Sequence, residues 1–149
     1  MMLRPIAEVL PHAGAMILLD RVERYDAESI ICVRRIVPGA LFVDADGNLP
    51  AWAGIELMAQ AVAAWSGCHA RDAGQPVRLG FLLGTRQYQC NAPAFPAGSE
   101  LRIEATRTFH GEEGMGAFAC RIEAGDIRAE ARLTVFSPPD PATFLASLV

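Results

Sequence analysis

The longest run of one hydropathy class lies between Leu49 and Cys68, where LPAWAGIELMAQAVAAWSGC carries a single charge, Glu56, in twenty positions. Pro50 suits a helix start and Gly67 a helix end, and the Ala, Leu, Met and Gln between them are good helix formers. A helix is therefore expected from Pro50 to about Cys68. At about 100° per residue, Ile55, Met58, Ala59, Val62 and Trp65 share one apolar face. Leu57, Ala61 and Ala64 make a second face, and Trp52, Glu56, Gln60 and Ala63 a third. A helix apolar almost all round is buried almost all round, so this one is expected to be wrapped by other structure with one carboxyl projecting from it.

Two plainer readings compete. A run of ~20 apolar residues has the length of a membrane span. A mid-span Glu and Gln, an Ala- and Gly-rich composition and the lack of a basic flank argue against one. The other is a core helix whose Glu56 reaches a surface or partner and does no chemistry. No cation stands three or four positions from Glu56, and a carboxylate on so apolar a helix is costly unless it is used or protonated. That favours a functional acid.

The flanking sequence reads mostly in periods of two. Residues 3–10 predict one short helical turn, and Leu10-Pro11-His12-Ala13-Gly14 a loop. Met16 to Tyr25 and Ser29 to Val37 predict two strands joined at Asp26-Ala27-Glu28. Pro38-Gly39 breaks the second, and Leu41 to Asn48 is a loop in which Asp44, Asp46 and Gly47 form turns. After the helix, Arg71 to Pro76 is a polar connection. Val77 to Cys90 predicts a long strand interrupted at Gly80 and Gly84. Pro93 to Gly98 turns. Glu100 to Phe109, Met115 to Glu123 and Ile127 to Phe136 predict three more strands, with turns at His110–Gly114 and Ala124-Gly125-Asp126. The prolines from Pro138 to Pro141 end the pattern, and Ala142 to Val149 predicts a short terminal helix.

Two strands, one long helix and four strands joined by hairpins make an antiparallel α+β chain. A flat face of six strands cannot cover a helix apolar all round. A sheet curled around the helix can, and two paired copies cover it better. That arrangement is the hotdog fold, expected here as one domain over residues 1–149.

Composition narrows the partners. At 149 residues and 52% hydrophobic, the chain can build a proper core. A net charge of −4, with scattered Arg and no Lys, argues against nucleic acid. No signal peptide is visible in Met1 to Leu10, and apolar settings for Cys32 and Cys120 suggest reduced thiols; the expectation is a cytoplasmic protein. Four cysteines without C-x-x-C spacing and three histidines offer no zinc site.

The motifs now carry a resemblance. Leu10-Pro11-His12 followed by Met16-Ile17-Leu18-Leu19-Asp20-Arg21-Val22 resembles the opening of the 3-hydroxyacyl-[acyl-carrier-protein] dehydratases. So do Pro50 with Glu56 six residues on in Glu56-Leu57-Met58-Ala59-Gln60, and Gly84 followed by Pro96-Ala97-Gly98 and Leu101-Arg102-Ile103. The likeness runs from about residue 10 to 135. It is nearest to the dehydratase-like proteins found with aryl-polyene biosynthesis, which share the Leu-Pro-Ala-Trp helix start. One departure stands out. The fatty-acid dehydratases carry a loop His fourteen residues before the helical Glu, and here that position is Phe42, with no His between His12 and His69.

Dehydrating a 3-hydroxyacyl thioester takes a base for the C2 proton, an acid for the C3 hydroxyl and donors for the polarised carbonyl. Burial favours the protonated form of a carboxyl, which suits Glu56 to the acid role. Backbone amides around Ala51 and Trp52, with the helix dipole behind them, suit the carbonyl. Gln60 and Gly84 complete the expected substrate-binding set, and no cofactor or metal is required. His12 is the leading base because imidazole titrates near neutrality and it lies in the family-like segment; shaping the loop is its alternative job. His69 reads as a helix C-terminal charge, His110 as a solvated turn residue, and Asp44 and Asp46 as turn formers that could substitute as base. The resemblance implies acid and base from opposite sides of a dimer interface. It also implies a partner acyl carrier protein with its phosphopantetheine arm, and a homodimer or higher oligomer or a heterodimer with a related subunit. Two other functions fit the same residues: a hotdog thioesterase using the helical carboxylate without a His, and a non-catalytic subunit of an active dehydratase.

Overall fold

The computed structural model describes residues 2–111, 114–138, 146 and 147. Its elements in chain order are β1 (Arg21–Tyr25), β2 (Ser29–Arg35), β3 (Leu49–Pro50), α1 (Gly54–Asp72), β4 (Phe81–Cys90), β5 (Ala94–Phe95), β6 (Glu100–His110), β7 (Met115–Ala124) and β8 (Ile127–Phe136). Six strands form one antiparallel sheet in the order β1-β2-β6-β7-β8-β4. β4 therefore leaves its sequence neighbours to lie beside β8 as an edge strand, with β1 at the opposite edge. This is the expected hotdog arrangement of a sheet around one long helix. The terminal helix expected over 142–149 lies outside the described residues except at Ala146 and Ser147, and the turn expected over 110–114 does so at positions 112 and 113. No helix among the described residues is long and apolar enough to cross a membrane.

The core forms between the sheet and one side of α1. Leu57, Met58, Ala61 and Ala64 are buried there with Ile30, Ile103, Ile122 and Leu133. Each fully buried Leu, Ile or Met contributes about 1.5–3 kcal/mol. Alternation along β6 and β7 puts Leu101, Ile103 and Ala105, and Phe118, Cys120 and Ile122, on the covered face. Cys32, Cys68 and Cys120 are buried free thiols, and burial pushes the Cys68 thiol up to about 11 and that of Cys120 to about 12. All four cysteines are free thiols, Cys32 and Cys120 in the apolar settings the sequence suggested.

Several boundaries differ from the sequence reading, and three of them bear on the site. The first strand begins at Arg21, not Met16. Gly14–Met16 is a 3-10 turn, and the Gln60 side chain holds the backbone at Met16 and Leu18 away from the sheet ladder. The helix runs past Gly67 to Asp72. Gly67 is there for proximity and not as a terminator, because a Cβ at that position would drive into the Val9 carbonyl. The chain turns instead at Gly74, whose φ of +70° is the left-handed conformation that ends helices. The long strand starts at Phe81 and not Val77, and its register slips fall between Leu82 and Gly84 and between Arg86 and Gln89.

The start of the helix is a 3-10 turn, Ala51–Ala53, that runs into α1. It is tied from outside. The short pairing of β3 with β5 and the Ala51 amide, which donates to the Pro93 carbonyl at 2.9 Å, anchor it on one side. The Tyr88 hydroxyl of β4 donates to the Ala51 carbonyl on the other. Burial pushes the Tyr88 phenol up to about 12, so it remains a donor at neutral pH.

Candidate active site

One side of α1 is not covered by the sheet. Along it lies a cavity of about 600 Å³, within the range of small-molecule sites. Its floor is helical and narrow-chained: Ala59, Ala63, Ser66, Ala70 and Ala73 all face it. Small side chains at spacings of three, four and seven keep a groove open where larger ones would fill it. Glu56 and Gln60 stand at one end of this stripe, and Pro11 and His12 also line the cavity. Leu79, Leu82, Met115, Phe118, Val135 and Phe136 supply apolar walls.

Glu56 sits in the first turn of α1, half-buried, and makes no hydrogen bond or ion pair among the described residues. His12 is half-buried as well, and its Nδ1 is buried without a hydrogen-bond partner among the described residues. An unpaired buried ring nitrogen costs on the order of 1–3 kcal/mol, so a group entering the cavity that satisfies it gains that much. One chain alone places both residues on the wall of one cavity, whereas the resemblance implied a pairing across two subunits.

Gln60 has a different task from the one expected of it. It is 1% exposed. Its Oε1 accepts from the Leu18 amide at 2.8 Å and its Nε2 donates to the Met16 carbonyl at 2.7 Å. Both ends of the amide bond backbone, so Gln60, which also lines the cavity, positions the segment that follows His12. Ala51 and Trp52 are not brought to this cavity. The Ala51 amide is spent on Pro93, Trp52 is 59% exposed and packs edge-on against Phe42 with ring centroids 5.3 Å apart, and neither residue lines the cavity. Gly84 lies in the edge strand β4 and does not line it either. Asp44 accepts the amides of Asp46 (2.9 Å) and Asn48 (3.0 Å), which is turn formation, and both aspartates are away from the cavity. No three metal-ligating side chains come together among the described residues.

The far end of the cavity holds residues that the sequence reading passed over. Trp65, His69, Arg107 and His110 all line it. Arg107 is gripped by Glu28 through two 3.2 Å hydrogen bonds, from Nε to Oε2 and from Nη2 to Oε1, and its Nη1 lies 3.2 Å from His110 Nδ1. A guanidinium only donates, so Nδ1 of His110 is the acceptor and the ring proton sits on Nε2. The same guanidinium lies 4.9 Å from the centroid of the Trp65 ring. The Asp26 carbonyl accepts from Trp65 Nε1 at 3.1 Å and from His69 Nε2 at 2.8 Å, and the two rings stand 4.6 Å apart. The Arg107 guanidinium holds the Glu28 carboxyl below its ordinary range. A signal for this cluster was present in the sequence. Arg107 shares the phase of Leu101, Ile103 and Ala105, the covered face of β6, and a charge in that phase is out of place on a merely solvated strand.

Comparison with known proteins agrees with the fold. A family model described as ApeP-like, the ApeP dehydratase, matches residues 4–146. The chain is 33% identical to a chain of the dehydratase heterocomplex ApeI:P from Xenorhabdus doucetiae, covering 97% of each with a TM-score of 0.89. More distant structures share the fold alone. A hypothetical thioesterase with coenzyme A from Streptococcus pneumoniae is 15% identical over 78% of this chain and 84% of its own, with a TM-score of 0.59. The virulence protein Cj0977 from Campylobacter jejuni is 17% identical over 91% and 88%, with a TM-score of 0.60. No curated protein matches the chain. With nearly its whole length matched by the family and a third of its residues identical to a solved dehydratase chain, the protein belongs to the ApeP-like dehydratase family.

Proposed function

We propose that this chain dehydrates 3-hydroxyacyl thioesters, carried on an acyl carrier protein, in polyene or fatty-acid-like biosynthesis. His12 acts as the base and Glu56 as the acid. The observation that carries the reading is the placement of His12 and Glu56 on one cavity whose remaining wall is largely apolar. In the reaction the His12 imidazole takes the C2 proton and the C2–C3 double bond forms as the C3–O bond breaks. Glu56 gives its proton to the departing hydroxyl, which leaves as water. The proton then passes from His12 back to Glu56 through solvent. An apolar groove excludes water from the rest of the chain and strengthens the polar contacts at its mouth. The carbonyl donor is not the Ala51 amide, since that group already bonds Pro93.

A second reading is favoured by one observation. The similar chain from Xenorhabdus doucetiae occurs in a heterocomplex, and here the edge strand β4 carries Leu82 and Leu83, 41% and 54% exposed. An open apolar edge is a place for another hotdog subunit. In this reading the chain is the partner of an active dehydratase and pairs through β4.

Mass spectrometry of a 3-hydroxyacyl carrier-protein substrate separates the readings. Loss of one water with the chain alone, reduced ~10²-fold or more by Glu56→Gln and by His12→Ala, supports the first. Dehydration only in the presence of a second subunit, insensitive to both substitutions, supports the partner role. Release of free carrier thiol makes the protein a thioesterase.

A further inference from the structure

The cavity does not end in apolar residues. His69 lies thirteen positions after Glu56, an axial rise of ~20 Å along α1. At that level Trp65, His69, Arg107 and His110 share the cavity wall. A groove meant only for an alkyl tail gains nothing from a cation and two imidazoles at its end, since each must keep its own partners or lose hydration.

The cluster has unspent hydrogen-bonding capacity of one kind. Arg107 has five N–H donors; two go to Glu28 and one to His110. Accepting on Nδ1 leaves His110 with a proton on Nε2, a second free donor. His69 donates through Nε2 to the Asp26 carbonyl, which accepts only, so its Nδ1 carries a lone pair in the neutral ring. Two donors beside one acceptor match a hydroxyl group. Charge argues the same way. Glu28 already pairs with Arg107 in two contacts, so an anion at this cluster would meet a neutralised guanidinium, whereas a neutral oxygen meets N–H groups. The cavity's other guanidinium, Arg78, bonds Gln75 and has no ion pair among the described residues, which is why a carboxylate-ended probe belongs in the test.

We propose that this end of the cavity binds the terminal group of a long acyl chain, and that the group is a neutral hydrogen-bonding oxygen, a hydroxyl. The inference rests on the reading of the cavity as an acyl groove. At about 1.2 Å per bond, the advance of a fully extended chain, ~20 Å corresponds to on the order of sixteen bonds between the reacting carbons and the terminal oxygen. Arg107 and His110 donate to that oxygen and His69 accepts from it.

Binding tests this apart from catalysis. The probes are the amide isosteres of the N-acetylcysteamine thioesters of hexadecanoic, ω-hydroxyhexadecanoic and ω-carboxyhexadecanoic acids, titrated against the full chain by quenching of Trp fluorescence. The hydroxyl-ended chain is expected to bind roughly tenfold more tightly than the methyl-ended one, the advantage of one or two net hydrogen bonds. That ratio should fall toward one in Arg107→Gln and in His110→Ala. Arg107→Gln also removes the Glu28 pair and could disturb folding, while His110 is exposed at the end of β6 and supplies the second, gentler variant. Equal affinities for the methyl and hydroxyl chains, or a preference that survives both substitutions, overturn the proposal and leave the acyl groove standing. Tightest binding of the carboxylate chain overturns the neutral-oxygen assignment. Binding of none of the three overturns the groove reading and this proposal with it.

Discussion

The side-chain amide of Gln60 grips the backbone at Leu18, accepting from its N–H at 2.8 Å, while its other end donates to the carbonyl of Met16 at 2.7 Å. One residue of α1 thereby fixes a segment 42 to 44 residues earlier in the chain, and that segment continues into the His12 loop. Gln60→Leu should leave the buried Leu18 amide unsatisfied, at about 1–3 kcal/mol, and remove the donor to the part-buried Met16 carbonyl. Urea unfolding should show the loss as a lower midpoint at constant slope. Turnover should fall further than stability explains, because His12 loses its placement. A Gln60→Leu protein with unchanged midpoint would mean that the clamp does not exist in solution.

Gly67 of α1 packs directly against the backbone of Val9 in the amino-terminal segment. In an exposed helix Gly→Ala stabilises by about 1 kcal/mol. Here the added methyl meets a carbonyl that belongs to backbone, so overpacking of about 1–3 kcal/mol should prevail. Gly67→Ala should therefore lower the melting temperature. A higher melting temperature would show that the segment around Val9 yields freely.

Asp72 should make stability sensitive to acid. Its carboxylate accepts from the Tyr25 hydroxyl at 2.7 Å and pairs with Arg4 at 2.8 Å, and these hold its pKa below the ordinary 3.8, the tyrosine contributing most. A group with a depressed folded pKa contributes its stability above the unfolded value and loses it as pH falls through the folded one. The loss should begin as pH drops below about 4, the unfolded carboxylate range. Because the Asp72 side chain is 40% exposed, solvent screens the pair and the effect is small. Denaturation midpoints measured from pH 6 down to pH 2 should fall less steeply in Asp72→Asn, with Tyr25→Phe flattening the curve more than Arg4→Ala.

The proposal that His12 and Glu56 act from one chain gives the catalytic test a definite form. His12 and Glu56 of the same chain line one cavity. Mixtures of Glu56→Gln and His12→Ala proteins should therefore remain as inactive as either alone after unfolding and refolding together. Recovery toward a quarter of the wild-type rate would assign the two residues of each site to different subunits.

The sequence by itself determined the elements whose signals are local. The six main strands, their hairpins at positions such as Gly125 (φ +59°), and a helix carrying one acid all follow from periods of two and 3.6 and from turn residues. Arg107 was missed, although its place in the covered phase of β6 held a signal. Tertiary structure decided what depends on contacts between distant segments. Whether Gly67 ends a helix or admits a neighbour is set by Val9, far away in the chain. Whether Gln60 binds substrate or backbone is set by Met16 and Leu18. The Ala51 amide looked free at a helix start until β5 and its flanking Pro93 closed on it. Hydropathy periodicity reports which side of an element is covered; it carries no record of which remote backbone group will claim a given hydrogen bond, and in this protein those claims separate the residues that shape the cavity from those left free to act in it.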